Sequence, residues 1–129
     1  MTEGTHEPNE WYSGEHLSRI AYPMGGMGAG MICLEGTGSL SHFSLRHRPQ
    51  VFNEPPVFAA ISVEGVANGA KVLEGPVPAW KVFGRPGTGN GAAGTTLGLP
   101  RFDSATFEAR FPFASVSLRD SDVPLSVEV

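Results

Sequence analysis

The stretch Ala21-Tyr-Pro-Met-Gly-Gly-Met-Gly-Ala-Gly-Met-Ile-Cys-Leu34 decides how this chain is read. Gly25, Gly26, Gly28 and Gly30 fall within six residues, Pro23 precedes them, and the apolar run Met31–Leu34 follows directly. Glycine tolerates positive φ and close backbone approach. The pattern therefore predicts a tight loop of bare backbone that enters a buried strand at Ala29–Glu35. A dinucleotide-binding reading fails here. The fingerprint needs G-x-G-x-x-G opening a helix, whereas Cys33 or Met31 falls at the third glycine position and Gly36 arrives too soon for a helix. The run Gly89-Asn-Gly-Ala-Ala-Gly-Thr-Thr96 has the glycine spacing of a P-loop, but a threonine replaces the lysine that reaches the phosphates. Two glycine-rich loops in a β protein account for both stretches.

Working outward, the neighbouring segments read as strands. His16–Tyr22 is a short strand candidate, preceded by a loose polar arm over residues 1–16 in which Trp11 and Tyr12 are potential anchors. Gly36-Thr-Gly38 is a hairpin turn into a strand at Ser39–Arg48. On a regular strand, Phe43, Leu45 and His47 share one face, and His42 falls on the other. That geometry argues against a two-histidine metal site from His42 and His47. Val57–Glu64 shows the cleanest alternation, with Val57, Ala59, Ile61 and Val63 inward and Phe58 and Ala60 making the other face partly apolar. Ala70–Leu73 and Ala79–Phe83 read as short strands, and 84–103 as a long glycine-rich loop. Three strands close the chain. Phe107, Ala109 and Phe111 are inward on the first; Ala114, Val116 and Leu118 on the second; Leu125, Val127 and Val129 on the third. No segment carries a 3.6-residue period, so the expectation is an all-β, antiparallel sandwich. Its last strand breaks off at Val129 on an inward position, which suggests an incomplete, truncated domain.

Composition narrows the function classes. At 129 residues the chain is one domain or part of one. A net charge of −4 with nine Lys plus Arg argues against nucleic acid or an anionic membrane as the main partner. Seventeen glycines and 11 prolines make it loop-rich, but 40% apolar residues in organised runs argue for a fold. The single cysteine, Cys33, excludes an internal disulfide and reads as a small buried hydrophobe. No stretch approaches the ~20 apolar residues of a membrane span. The first twenty residues lack the basic and apolar regions of a secretory signal, so a cytoplasmic location is expected. Glycosidic hydrolysis needs two facing carboxylates. Here the acids from Glu64 to Glu128 read mostly as solvated charges at strand ends and on wet faces, and no Ser-His-Asp arrangement is visible. The residues alone point to no catalytic, metal or cofactor site.

Several phrases together resemble a known family. They are Pro23-Met-Gly-Gly-Met-Gly-Ala-Gly30, Gly36-Thr-Gly-Ser-Leu40, Phe43-Ser-Leu-Arg-His-Arg-Pro49 and Gly98-Leu-Pro-Arg-Phe102. Phe107-Glu-Ala-Arg-Phe-Pro-Phe-Ala114 and Asp122-Val-Pro-Leu-Ser-Val-Glu128 complete the set. In this order they are similar to the amino-terminal domain of glycoside hydrolase family 116, the non-lysosomal glucosylceramidases and bile-acid β-glucosidase-like enzymes. The resemblance covers residues 17–129. It implies an amino-terminal β-sandwich ahead of a catalytic helical (α/α)₆ domain that carries the catalytic pair and is absent from this chain. It also implies that the strand begun at Leu125 and the sandwich itself continue further in such enzymes. The implied role is non-catalytic: to support the helical domain of a retaining β-glucosidase, with a glucoside as the whole enzyme's substrate and no cofactor. Gly25, Gly26, Gly28 and Gly30 are the candidate domain-interface loop. A different class, a stand-alone carbohydrate-binding module, would use Trp11, Tyr12, Tyr22 and Trp80 as sugar platforms.

Overall fold

The computed structural model describes residues 11–51, 53–83 and 97–129. The chain is an all-β, antiparallel sandwich. Its strands are β1 (Trp11–Ser13), β2 (Ala21–Met24), β3 (Gly30–Glu35), β4 (Leu40–Leu45), β5 (Ala60–Ser62), β6 (Ala70–Val72), β7 (Ser104–Arg110), β8 (Phe113–Arg119) and β9 (Val127–Glu128). A 3₁₀ helix spans Gly14–Arg19, and a five-residue helix, α1, spans Ala79–Phe83. One sheet has the order β1-β7-β8-β9, the facing sheet β2-β3-β4, and β5 and β6 form a separate ribbon.

The β7–β8 hairpin is the regular part. Ala105, Phe107 and Ala109 pair with Leu118, Val116 and Ala114, so one alternating face is apolar on both strands. That face meets Leu34 and the half-buried Tyr22 and Leu40 of the other sheet, with Leu17, Phe102 and Val123 closing the sides. The Tyr22 and Phe107 rings lie 6.2 Å apart across the layers. Val116 and Leu118 are wholly buried, and Phe107 is 1% exposed. The Gly36–Gly38 hairpin turn forms as expected, with Gly38 at φ +95° and Glu35 N–H donating to the Ser39 carbonyl at 2.8 Å.

Elsewhere the alternation breaks. Trp11–Ser13, read as part of a loose arm, pairs instead with Glu108, Phe107 and Thr106, because Tyr12 packs edge-on to Phe107. His16–Arg19 is a turn of 3₁₀ helix, not strand; it places Leu17 in the core. β4 ends at Leu45, three residues early, and its faces are shifted. The pairing passes from Met31↔Ser44 to Cys33↔Ser41, so β4 carries one extra residue, and His42 adopts φ +51°. With this bulge Ser41 and Ser44 fall on the Cys33 face and are buried, while Leu45 is exposed. Asn53 fixes the bulge by pairing with the Phe43 backbone. The expected long strand at Val57–Glu64 contracts to Ala60–Ser62, and its ends close into local turns, Val57 N–H onto the Pro55 carbonyl and Val66 N–H onto the Val63 carbonyl. Val57 and Phe58 are consequently half exposed. Ala79–Phe83 is helical rather than extended: Lys81 N–H returns to the Pro78 carbonyl, and a run of five residues is too short for periodicity to discriminate. Phe111, read as inward, lies past the end of β7 and is 90% exposed. The inner position of Leu125 is also not realised; it is exposed ahead of the two-residue β9. The Gly89–Thr96 run lies outside the described residues.

Phe107→Ala removes the side chain common to both layers and should lower unfolding stability by about 3–5 kcal/mol in urea titration. A loss below about 1 kcal/mol would contradict this core.

Candidate functional site

The Gly25–Gly30 loop joins β2 to β3, whose register runs Met24↔Ile32 and Pro23↔Cys33. Its four glycines are not equivalent. Gly30 has φ +101°, and a Cβ there would run into the Ser44 carbonyl oxygen. A Cβ on Gly25 would strike the Gly30 carbonyl. Gly28 needs glycine for its φ of +80°, whereas Gly26 has open space around it and no unusual φ. The loop is held by one turn bond, from Ala29 N–H to the Gly26 carbonyl at 3.1 Å. Residues 23–29 are all exposed, and Met27 is wholly so.

A second tight turn stands beside it, because Leu45 pairs with Gly30. Arg46 and His47 have consecutive positive φ values, +56° and +57°, and Arg48 N–H donates to the Leu45 carbonyl at 3.2 Å. This is the type I′ geometry normally given to Asn-Gly. The His47 ring lies over Gly28. His42, in the bulge, belongs to a different part of β4. Among the described residues no group of three or more His, Cys, Asp or Glu is arranged to hold a metal.

Several acids are buried, which sequence reasoning missed; of these, Glu74 and Asp120 belong to the Glu64–Glu128 run read as mostly solvated. Glu35, at the end of β3, is 7% exposed. It accepts from Lys81 Nζ at 2.7 Å and from Ser39 Oγ at 2.8 Å. Glu54 joins Lys81 at 3.2 Å. Glu74 receives the Arg101 guanidinium at 3.0 Å, and Arg101 also donates to the Leu97 and Leu99 carbonyls. Asp120, its side chain fully buried, takes Lys71 at 2.8 Å and the backbone N–H groups of Asp103, Asp122 and Val123. These carboxylates are tied to cations and turn amides, and no two of them face one another across an open cleft. The signal available in sequence was the pairing of few cations with punctuated, irregular segments; spacing gave none of the partners.

The remaining reactive groups are similarly occupied. Burial, and then the Glu35 charge, push the Cys33 thiol above its ordinary pKa, which keeps it protonated and unreactive near neutrality. Trp80 donates to the Ser18 carbonyl at 2.6 Å and carries the Arg19 guanidinium 4.2 Å over its ring. Tyr12 and Tyr22 pack on Phe107, and Trp11 is half exposed. Of the four aromatics considered as sugar platforms, Tyr12 and Tyr22 are thus both taken up by Phe107 and Trp80 by Ser18 and Arg19.

The Asp120 cluster gives a pH dependence. The hydrogen bond from Lys71 holds Asp120 below the usual carboxylate range, and Ser121 does the same for Asp103; Lys71 is raised by its bond to Asp120. The carboxylates contribute stability above their ordinary pKa of about 3.9, and lose it as pH falls through their lower folded values. Lys71 contributes fully below its ordinary pKa of about 10.4, and loses it as pH rises through a higher folded value. Thermal melts of the wild type should thus fall off on both sides of a broad plateau, and Asp120→Asn should flatten both limbs. Unchanged limbs in that variant would contradict the cluster's role.

No helix among the described residues is long and apolar enough to cross a membrane. No curated protein matches the chain. Residues 21–129 match the family described as beta-glucosidase 2, glycosyl-hydrolase family 116 N-term, and this span covers most of the sequence, from β2 to its last residue. The chain therefore belongs to the glycosyl-hydrolase family 116 amino-terminal domain family.

Proposed function

We propose that this domain is the non-catalytic, supporting part of a retaining β-glucosidase of the glucosylceramidase-like kind. It packs on the catalytic helical domain and shapes the mouth of its active site. Family membership supports a glycoside hydrolase setting and a catalytic partner domain. The observation that carries the supporting role is the Gly25–Gly30 loop: glycine-rich backbone exposed from Gly25 to Ala29, with Met24 before it and Met27 at its tip on the solvent side. Exposed methionines next to side-chain-free backbone suit close packing against another surface better than they suit water.

In this reading the chemistry belongs to the partner. A retaining glycosidase uses two carboxylates about 5 Å apart, one as nucleophile and one as acid and base, and passes through a glycosyl-enzyme intermediate. In this family reading both catalytic carboxylates come from the helical domain, and the buried acids Glu35, Glu54, Glu74 and Asp120 are engaged in ion pairs here. The substrate class is a β-glucoside, and glucosylceramide is the finer proposal.

Gly26 provides a clean test, because a Cβ there meets nothing within 4 Å and the backbone needs no positive φ. Gly26→Trp should leave the melting temperature of this chain unchanged. In the full-length glycosidase it should lower turnover of a β-glucoside by about tenfold or weaken association of the two domains. Full activity and intact association in the variant would refute the loop's place at the interface. Gly28→Val is the less selective companion. It should depress folding through its positive φ whether or not the loop is docked.

A further inference from the structure

Two exposed features far apart in sequence lie at the same end of the sandwich as the glycine loop. Gly75 fixes the strand directions: its N–H donates to the Thr37 carbonyl at 2.7 Å, and its α-carbon packs on Ala105. The end of β3 is therefore beside the start of β7. Midway, Tyr22, which pairs with Leu34, meets Phe107. The start of β3 and the end of β7 thus project the same way. This brings the Gly25–Gly30 loop, the Leu45–Arg48 turn and the β7–β8 tip, Phe111-Pro112-Phe113, to one end. Phe111 is 90% and Phe113 74% exposed.

Charge at this end differs from the rest of the domain. The chain is net acidic, with nine Lys plus Arg. Lys71, Lys81 and Arg101 are spent on buried carboxylates, and Arg19 lies over Trp80. Of the other described cations, Arg46, Arg48 and Arg110 are at this end, and Arg119, opposite Ser104, is at the other. Arg110 has Glu108 beside it at 2.7 Å. The end is thus apolar at its tips with an arginine rim, on an otherwise acidic domain. Arg46 and His47 also accept a left-handed backbone that costs non-glycine residues energy, and such strain persists where a fixed side-chain display is useful.

We infer that this end, formed by the Gly25–Gly30 loop, Arg46–Arg48 and Phe111–Phe113, is the docking face for the catalytic domain. The surface it meets there is apolar at its centre and acidic at its rim. Family membership supplies the occupant, a catalytic partner domain, and the arginine rim gives the complementary acidic charge expected of the surface it meets. The inference rests on the supporting role proposed above and adds to it a face and a partner chemistry. Aromatic side chains at an interface centre carry much of the binding energy, and rim charges set the salt dependence.

The test mixes this chain with the separately produced catalytic domain of a family 116 β-glucosidase and follows association by sedimentation at low and high NaCl. Wild type should bind, more weakly as salt rises. Phe111→Ser/Phe113→Ser should weaken binding at least tenfold, and Arg46→Glu/Arg48→Glu should weaken it and abolish the salt dependence. Both pairs are exposed, so circular dichroism should show the wild-type fold. Val57→Ser/Phe58→Ser, half exposed on the β5 side, should bind as wild type does. If the end variants bind normally and the Val57/Phe58 variant does not, the supporting role survives and this face is wrong. If wild type fails to bind at any salt concentration, the supporting role itself falls, and the docking face with it. Binding that ignores salt overturns the acidic rim.

Discussion

A buried carboxylate at the end of β3 constrains the structure around it. Glu35 lies in the strand that runs through the middle of the smaller sheet, on the face opposite the apolar core, and that face is covered instead of wet. A charge in such a place must be paired, and removing one partner of a buried pair generally costs about 3–5 kcal/mol. Against a typical domain stability of about 5–15 kcal/mol, that is a large share. The chain meets the requirement with Lys81, which only a helical turn at Ala79–Phe83 delivers, and with Trp80, whose indole N–H anchors the same turn to Ser18. Arg101 with Glu74, and Lys71 with Asp120, repeat the arrangement at other irregular segments. Short strands joined by proline-rich connections bury modest apolar area, and ion pairs fasten what the ladders leave loose.

This spending of cations has a consequence for the surface. Once Lys71, Lys81 and Arg101 are committed inside, three of the described exposed arginines, Arg46, Arg48 and Arg110, lie by the two tight turns and the β7–β8 tip. One end of the sandwich is therefore poor in self-contacts: glycine backbone, two left-handed non-glycine residues and two exposed phenylalanines. The opposite end is bound up with the 3₁₀ helix, α1 and the Asp103–Asp120 turn network. A scaffold domain with one finished end and one presented end fits a supporting part of a larger glycosidase.

The sequence made the regular part legible. The alternation of Ala105, Phe107 and Ala109 against Ala114, Val116 and Leu118, and the Gly36–Gly38 turn, were readable because period and turn chemistry agreed. The order of short phrases from Pro23 to Glu128 was enough to suggest the family. What stayed hidden needed long-range partners. Nothing near Glu35 in sequence announces Lys81, and nothing in Ser39–Arg48 announces a bulge at His42 that Asn53 stabilises. A single extra residue there exchanges the faces and moves Leu45 from the expected interior to solvent. The glycine loop was legible as a loop, but the different reasons behind Gly25, Gly26, Gly28 and Gly30 required their neighbours. Phe111 was misread because an inward register continues on paper past the last paired residue of β7.

Amide hydrogen exchange is the most direct measurement of the central claim, comparing this chain alone with the chain mixed with a family 116 catalytic domain. The account predicts added protection at Gly25–Gly30, Arg46–Arg48 and the Arg110–Phe113 tip, with the β7–β8 core protected equally in both states. No added protection anywhere, or protection confined to the α1 and Asp103–Asp120 end, would contradict it.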